Sequence, residues 1–552
     1  MLSGSYTNLG TRAATATLTL VTTGPLPTRT ALDELLQGTT TTAVRSLPVA
    51  VDVTGVAPGT TLPWTITTPM APWASQWSGV VGIGVQSGDN TSLTAVPWFP
   101  NAPSDPTRLT VAVRLGVAAA DPYADTVDLA AATTEVGRLE RLIGAGLGQL
   151  VVDPQVAVWL GSLRDTPLAP RAASLQARIA SSTLSVYADA RLDRLVASRR
   201  MDIVDAVTGR SASWYFPNAV SSDAVTALGD RVVTVVGNDQ VAQSARETTD
   251  ALGTVDGQPV LVADRGIGNC LTLPSSSAAS LCFAATVAMT TAESPNRARQ
   301  LLVVTPRDWA PDELLLTRLA SVLTGTNYAA AGSVIGATSI GTELQLREPN
   351  APVSGYSERT LNNTGALLAA AAQVGSLFPN TTQESYLRNL ALGALSQAVP
   401  RGQAADLLRR GLDQGRLLTH AIAIETSGRF TVPGNTVELP FTVVNNAELP
   451  VTVGIVLVAD NPTRLRAEPV PVVTVDSGQR VVVPLPISIT GVGTVTAAAQ
   501  IVTADGISVG TPVRISVTST AGQRFARNLV WLTFATLVLL AANSWRKRRE
   551  AP

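Results

Sequence analysis

The chain has 552 residues, 45% hydrophobic and 15% charged, which is enough apolar material for several cores and excludes a disordered body. Its 40 Lys and Arg balance 41 Asp and Glu to a formal charge of −1, and no basic cluster precedes the last residues, so the footprint of a nucleic-acid binder is absent. One histidine and two cysteines exclude most zinc and histidine-based chemistry at the outset.

The opening, MLSGSYTNLG, has neither the basic start nor the apolar core of a secretory signal. Thr15, Thr17 and Thr19 then alternate with Ala16, Leu18 and Leu20, the period of a strand with one buried face. Further strand-like runs at Leu47–Val56, Leu62–Thr68, Gly79–Gln86 and Thr91–Trp98 are separated by turns such as Pro58-Gly59 and Gly88-Asp89-Asn90. Residues 1–100 therefore read as an N-terminal β-sandwich, and its first strong strand comes so early that the sandwich reads as truncated at its start.

From 101 to 345 strand-like runs alternate with helix-like ones. Leu109–Leu115 is followed by Val136, Leu139 and Ile143 at helical spacing, and Leu150–Val152 by Asp153-Pro154. Leu184–Tyr187 precedes Asp189, Trp214–Phe216 precedes Pro217, and Val232–Val236 stands alone. Val260–Ala263 precedes Asp264, and Leu301–Val304 runs into Thr305-Pro306-Arg307-Asp308-Trp309. Seven strands alternating with helices over about 200 residues predict a parallel sheet curled into an α/β barrel-like domain, closed or incomplete. Pro311, Asp312 and Glu313 then open a helix, the acids near its positive end.

Residues 346–419 read as a helical extension, with Leu387, Leu390 and Ala394 on one face and Leu407, Leu408 and Leu412 on another. Alternation returns at Thr436–Thr442 and continues through Val451–Val458, Arg480–Pro486, Val495–Val502 and Val513–Val517, predicting an immunoglobulin-like β-sandwich over 420–520. The stretch 525–545 is the expected transmembrane helix: Leu529–Trp545 carries no charge and spans roughly 25 Å as a helix. Arg546, Lys547, Arg548 and Arg549 outweigh Arg524 and Arg527 before it, so the positive-inside rule puts the tail 546–552 in the cytoplasm and the bulk of the chain outside. The expected location is the cytoplasmic membrane, crossed once. A tail-anchored protein with its body in the cytosol is the reversed alternative.

Cys270 and Cys282 flank Pro274 and a run of serines; in an oxidising compartment a disulfide between them would stabilise the fold by about 3 kcal/mol, the alternative being two unrelated buried thiols. His420 lies far in sequence from every barrel strand, so neither a His-containing metal site nor a Ser-His-Asp triad can be assembled around it. The one G-x-S-x-G match, Gly506–Gly510 around Ser508, sits among strands without the helix a nucleophile elbow needs. Neither Gly144, Gly146 and Gly148 nor Gly82, Gly84 and Gly88 has the strand, loop and helix order of a phosphate cradle, so no nucleotide or other cofactor is expected.

What remains is Asp153, Asp189, Asp264 and Asp308, each after an apolar run, where the C-terminal rim of a parallel barrel gathers side chains. Asp153, Asp264 and Asp308 are the candidates for general acid and base in glycoside hydrolysis, with Arg307 and Trp309 as sugar contacts. An aspartate after a strand is equally ordinary as a turn or helix cap.

The segments LVTTGPLPTRTALDELL (Leu20–Leu36), VPWFP (Val96–Pro100), VVDPQV (Val151–Val156), TPRDW (Thr305–Trp309), LPFTVVNNAELPVTV (Leu439–Val453) and ISVTSTAG (Ile515–Gly522) together resemble a family of uncharacterised actinobacterial membrane-anchored proteins. That family is a domain of unknown function commonly encoded beside the MurJ/MviN-type lipid II flippase. The resemblance implies a C-terminal membrane helix and a place in peptidoglycan precursor export. It also implies a secretory signal, from which the start of this chain departs. It transfers no catalytic residue. The expectation is a non-enzymatic envelope protein that binds a glycan or a membrane partner; the alternative is a carbohydrate-active enzyme using rim carboxylates.

Overall fold

The computed structural model describes residues 1–70, 75–118, 120–124, 126–209, 213–242, 248–334, 342–349, 353–379, 381–468 and 470–549, without the side chains of 521–529 and 546–549. The chain divides into two compact units, Met1–Tyr356 with Leu395–Ala398, and Ser357–Ala394 with Val399–Pro552. It is multidomain and rich in β-structure, with curled sheets and packed helices.

The first unit opens with strands β1 (Leu2–Thr7), β2 (Ala14–Pro25), β3 (Arg45–Val56), β4 (Thr61–Ile66), β5 (Gly79–Ser87) and β6 (Asn90–Trp98). They form a four-stranded antiparallel sheet in the order β3-β2-β5-β6 and a two-stranded sheet of β1 and β4. The threonine alternation of β2 has its expected outcome: Ala16, Leu18 and Leu20 are buried and meet Val53, Ile66, Ile83 and Val85. A helix at Arg29–Leu36 interrupts the strands, started by Thr28, whose hydroxyl accepts the Ala31 N–H at 3.1 Å.

The same unit continues with β7 (Thr107–Leu115), β8 (Gln149–Val152), β9 (Thr183–Leu184), β10 (Ser213–Tyr215), β11 (Val232–Gly237), β12 (Leu252–Val255), β13 (Gln258–Ala263), β14 (Gln300–Val304), β15 (Ala329–Ala331) and β16 (Thr342–Glu343). Strands β10-β11-β13-β14-β7-β8-β9 are hydrogen-bonded neighbours, all parallel. The two ends of this sheet then meet: Ser185 and Trp214 form a parallel bridge, and the Val186 N–H donates to the Trp214 carbonyl at 3.0 Å. Seven strands therefore curl in sequence order until the last finds the first. β12 hangs on β13 as an antiparallel hairpin.

Side-chain alternation fills both faces of this sheet. Ala112, Val151, Trp214, Val235, Leu261 and Leu302, drawn from six strands around the curl, pack into one interior cluster. On the outer face Val111, Val113 and Leu115 pack with Val136, Leu139, Leu160 and Leu319 of the surrounding helices. Cys270 and Cys282 are joined, tying the helix Arg265–Cys270 to the helix Ser276–Glu293 across the Pro274 turn.

The second unit has helices Glu358–Leu377, Gln383–Gly393 and Arg401–His420, then, among the described residues, nine strands: β17 (Ile422–Glu425), β18 (Arg429–Val432), β19 (Thr436–Asn445), β20 (Val451–Ala459), β21 (Leu465–Ala467), β22 (Val473–Val475), β23 (Arg480–Ile489), β24 (Gly493–Thr503) and β25 (Ser508–Ser519). They stack as two sheets, β17-β19-β23-β21 and β18-β25-β24-β20-β22. A 29-residue helix, Ala521–Arg549, ends the described chain. Its described side chains run from Val530 to Trp545, and among the described residues no helix is long and apolar enough to cross a membrane. The side chains of Arg546, Lys547, Arg548 and Arg549, which set the expected topology, lie outside the described residues.

Candidate functional site

The curled sheet brings Asp153, Asp189 and Asp264 to its C-terminal rim, and each is held by an arginine. Asp153 follows β8 and caps the helix Pro154–Ser162, accepting the Gln155 N–H at 2.9 Å. It also accepts the Ala188 N–H at 2.9 Å and pairs with Arg307 at 2.9 Å. Burial pushes its carboxyl up from the ordinary range, opposed by the Arg307 guanidinium and by those two N–H groups, which favour the charged form. Arg307 also donates to the Gln155 side-chain oxygen at 2.8 Å. It reaches both across Gly116: a Cβ there would lie 2.5 Å from the arginine Cγ, so a side chain at 116 would push Arg307 away. Nearby, burial drives the Tyr123 phenol up to about 12.

Asp189 sits in a left-handed stretch, with φ of 50° at Ala188 and 55° at Asp189. Such backbone is costly for residues with a Cβ and persists when neighbours fix it. Both its oxygens accept from the Arg114 guanidinium at 2.6 Å, and its own carbonyl accepts the Gln397 N–H. Arg114 in turn lies 4.2 Å over the Phe216 ring. Asp264 follows β13 and caps the helix Arg265–Cys270 through the Ile267 N–H at 3.0 Å. Its partner is Arg29 of the helix Arg29–Leu36, at 2.7 Å, so the N-terminal segment of the same unit contributes to the rim.

Asp308 and Trp309 part company. Asp308 is exposed, whereas Trp309 is buried, its indole N–H donating to the Leu271 carbonyl at 3.1 Å and its own carbonyl accepting from Arg138 at 3.0 Å. The TPRDW segment thus sends Arg307 onto Asp153, Asp308 into solvent and Trp309 into the core. His420 ends the helix Arg401–His420 in the other unit. Among the described residues no group of three or more His, Cys, Asp or Glu side chains could hold a metal ion.

Sequence reasoning found the three aspartates from their place after apolar runs but missed Arg29 and Arg114. Arg29 stands 235 residues from its partner and Arg114 stands 75, so no local spacing joins them. Gly116, just beyond β7, marks the close approach of Arg307 and of neither of these two.

Chemically the rim is a set of closed ion pairs. General acid and base catalysis needs one carboxyl free to give a proton and another free to take one. Here Asp153 and Asp264 cap helices while paired with guanidinium groups, and Asp189 is held at both oxygens.

The profile of a family of unknown function, DUF6049, matches residues 149–546. No curated protein sequence matches the chain. Among solved structures, WR4, an MSP family member of C. elegans, is 8% identical and aligns over 18% of this chain and 98% of its own, with a TM-score of 0.15. The alpha-2-macroglobulin of E. coli is 17% identical over 18% of this chain and 6% of its own, with a TM-score of 0.14. A FixG-related protein of Vibrio parahaemolyticus is 7% identical over 18% of this chain and 97% of its own, with a TM-score of 0.14. Scores this low carry no argument.

Proposed function

We propose, from the premise that the chain belongs to the DUF6049 family and inherits no activity from that membership, that it is a non-enzymatic, membrane-anchored binding protein of the cell envelope. The observation that carries the non-enzymatic half is the rim, whose Asp153, Asp189 and Asp264 are each neutralised by an arginine. A glycosidase needs two carboxyl groups with separate duties, and the arginines give these three the same one.

The anchoring half is supported by the last helix. Val530, Trp531, Leu532, Phe534, Leu537 and Leu540 are between 60% and 72% exposed, a bare apolar surface that a lipid phase would cover. In the sequence Arg546, Lys547, Arg548 and Arg549 follow directly, so the reading places the bulk outside the cytoplasmic membrane and the tail 546–552 inside. A source in an actinobacterium, beside a MurJ/MviN-type lipid II flippase, rests on sequence resemblance alone, and with it a role in peptidoglycan precursor export. A glycan or that membrane partner is the ligand class this reading carries.

The competing glycosidase reading has one observation in its favour, the upward shift that burial gives Asp153, as a general acid requires. Substituting Asp153, Asp264 and Asp308 together by Asn separates the two. Asn keeps N-cap capacity, so the variant retains its helix starts. The binding reading expects unchanged cellular function in the folded triple variant; release of sugar from peptidoglycan or arabinogalactan by the purified wild-type chain, lost in the variant, overturns it.

A further inference from the structure

The sandwich of the second unit has two ends with different neighbours. The turns 446–450, 476–479 and 504–507 share one end, because Val451 pairs with Val475 and Val453 with Thr503. The unit's own helices meet that end: Gln373 donates to the Ser508 carbonyl at 3.1 Å, the Ser376 hydroxyl to the Asp505 carboxylate at 3.0 Å, and the Asn446 N–H to the Ala421 carbonyl at 2.8 Å. Its turns carry the acids Glu448, Asp476 and Asp505. The turns 433–435, 460–464 and 490–492 gather at the other end, where Ser519 pairs with Val432 and Gly493, and Leu465 with Ile489. From this end the helix Ala521–Arg549 departs, directly after β25 and Thr520.

The turn 490–492 ends in an apolar tip. Gly491 and Gly493 have φ of 86° and 106°, backbone that glycine adopts readily, and between them Val492 is turned outward, 56% exposed. Beneath it the Arg464 guanidinium donates to the Val492 carbonyl at 2.9 Å, and among the described residues no carboxylate pairs with that guanidinium. The acid of the same end, Asp460, accepts from the Thr496 hydroxyl. An exposed valine over an arginine free of carboxylates is a pairing suited to the boundary between lipid tails and phosphates.

We infer that this end of the sandwich sits in the lipid headgroup layer, Val492 entering it as an apolar tip and Arg464 meeting lipid phosphate. Chain length argues for that occupant. A span of 525–545 makes about 31 Å of helix and fills a hydrocarbon layer of roughly 30 Å. Ala521 then stands about 6 Å before the hydrocarbon, within a headgroup layer of roughly 5–8 Å. Gly493 is the strand partner of Ser519, so the tip beside it is held at that depth too. The acidic turns lie at the opposite end, away from the phosphates.

This rests on the anchoring reading above and deepens it, naming a lipid contact outside the helix. The test uses the full chain in phosphatidylcholine liposomes with a bimane fluorophore on one introduced cysteine. Cys270 and Cys282 are joined and no cysteine is free among the described residues, so the label goes to the new site alone. Val492→Cys and Asn435→Cys report this end, Ser477→Cys the far end and Leu537→Cys the helix, all at exposed positions. A lipid with a nitroxide on its headgroup should quench 492 and 435 about threefold more than 477, while a nitroxide deep in the acyl chain quenches 537. Quenching at 492 or 435 no greater than at 477, with 537 quenched, overturns the inference and leaves the anchoring reading standing. Shielding of 492 from aqueous iodide without quenching by lipid would mean a protein cover and overturns it as well. If 537 is not quenched, the anchoring reading itself fails and this inference falls with it.

Discussion

At the scale of single residues, Arg307 is the side chain on which the rim turns. It is mostly buried, it neutralises Asp153, and it reaches that partner only because position 116 has no side chain. Arg307→Met leaves the buried Asp153 charge without its counter-ion, and chemical denaturation is expected to show a loss of about 3–5 kcal/mol. Adding Asp153→Asn to that variant recovers most of the loss; a second loss on top of the first would contradict the pairing. The buried phenols give a pH signature. Tyr123, Tyr328 and Tyr356 are each pushed up to about 12, chiefly by burial, against about 10 in an unfolded chain. A folded-state pKa above the unfolded one means that stability is complete below about pH 10 and falls as pH rises through 12. Spectrophotometric titration should resolve a late tyrosinate step that moves to about 10 in denaturant; all seven tyrosines titrating together near 10 in the native chain would refute it. The aspartates were legible in the sequence because each follows a strand, but their arginines come from distant segments, and charge neutralisation across the fold leaves no trace in local spacing.

At the scale of elements, long periodic segments announced themselves and short ones did not. β2 and β19 each carry enough alternation to define a buried face, and β7 is an apolar run buried on both faces; all three lie where those patterns put them. β17, β18, β21 and β22 have only three or four residues and sit at or near sheet edges, where alternation is too brief to separate from a turn. The helix Arg29–Leu36 was missed within a sequence otherwise rich in strand formers, although Thr28 marks its start. Packing between helices was also hidden. Gly411 and Gly415 let the helix Arg401–His420 lie close against Glu358–Leu377, for a Cβ at 411 would come within 2.5 Å of Leu367, and one at 415 within 3.1 Å of Ala370. Gly411→Leu should therefore lower stability by about 1–3 kcal/mol through overpacking. Gly402, in the same helix with open space around it, makes the contrast: Gly402→Ala should raise stability by about 0.5 kcal/mol. Equal effects at the two positions would contradict the close approach.

At the scale of the molecule, the order of parts was readable from where the hydrophobic period changes: strands to 100, alternating strands and helices to the middle of the chain, helices, then strands again. Closure of the curled sheet was not, because it depends on Ser185 meeting Trp214, and the flanking β9 and β10 have only two and three residues. The ligand was not legible either, since the rim offers closed ion pairs. The proposed polarity has the last helix cross the cytoplasmic membrane with the folded units outside and residues 546–552 inside. Protease added to intact spheroplasts of a cell expressing the chain with an epitope after Pro552 measures it directly. With the proposed polarity the folded units are digested while the epitope stays attached to a short membrane-embedded fragment. Loss of the epitope with the folded units left whole would contradict it.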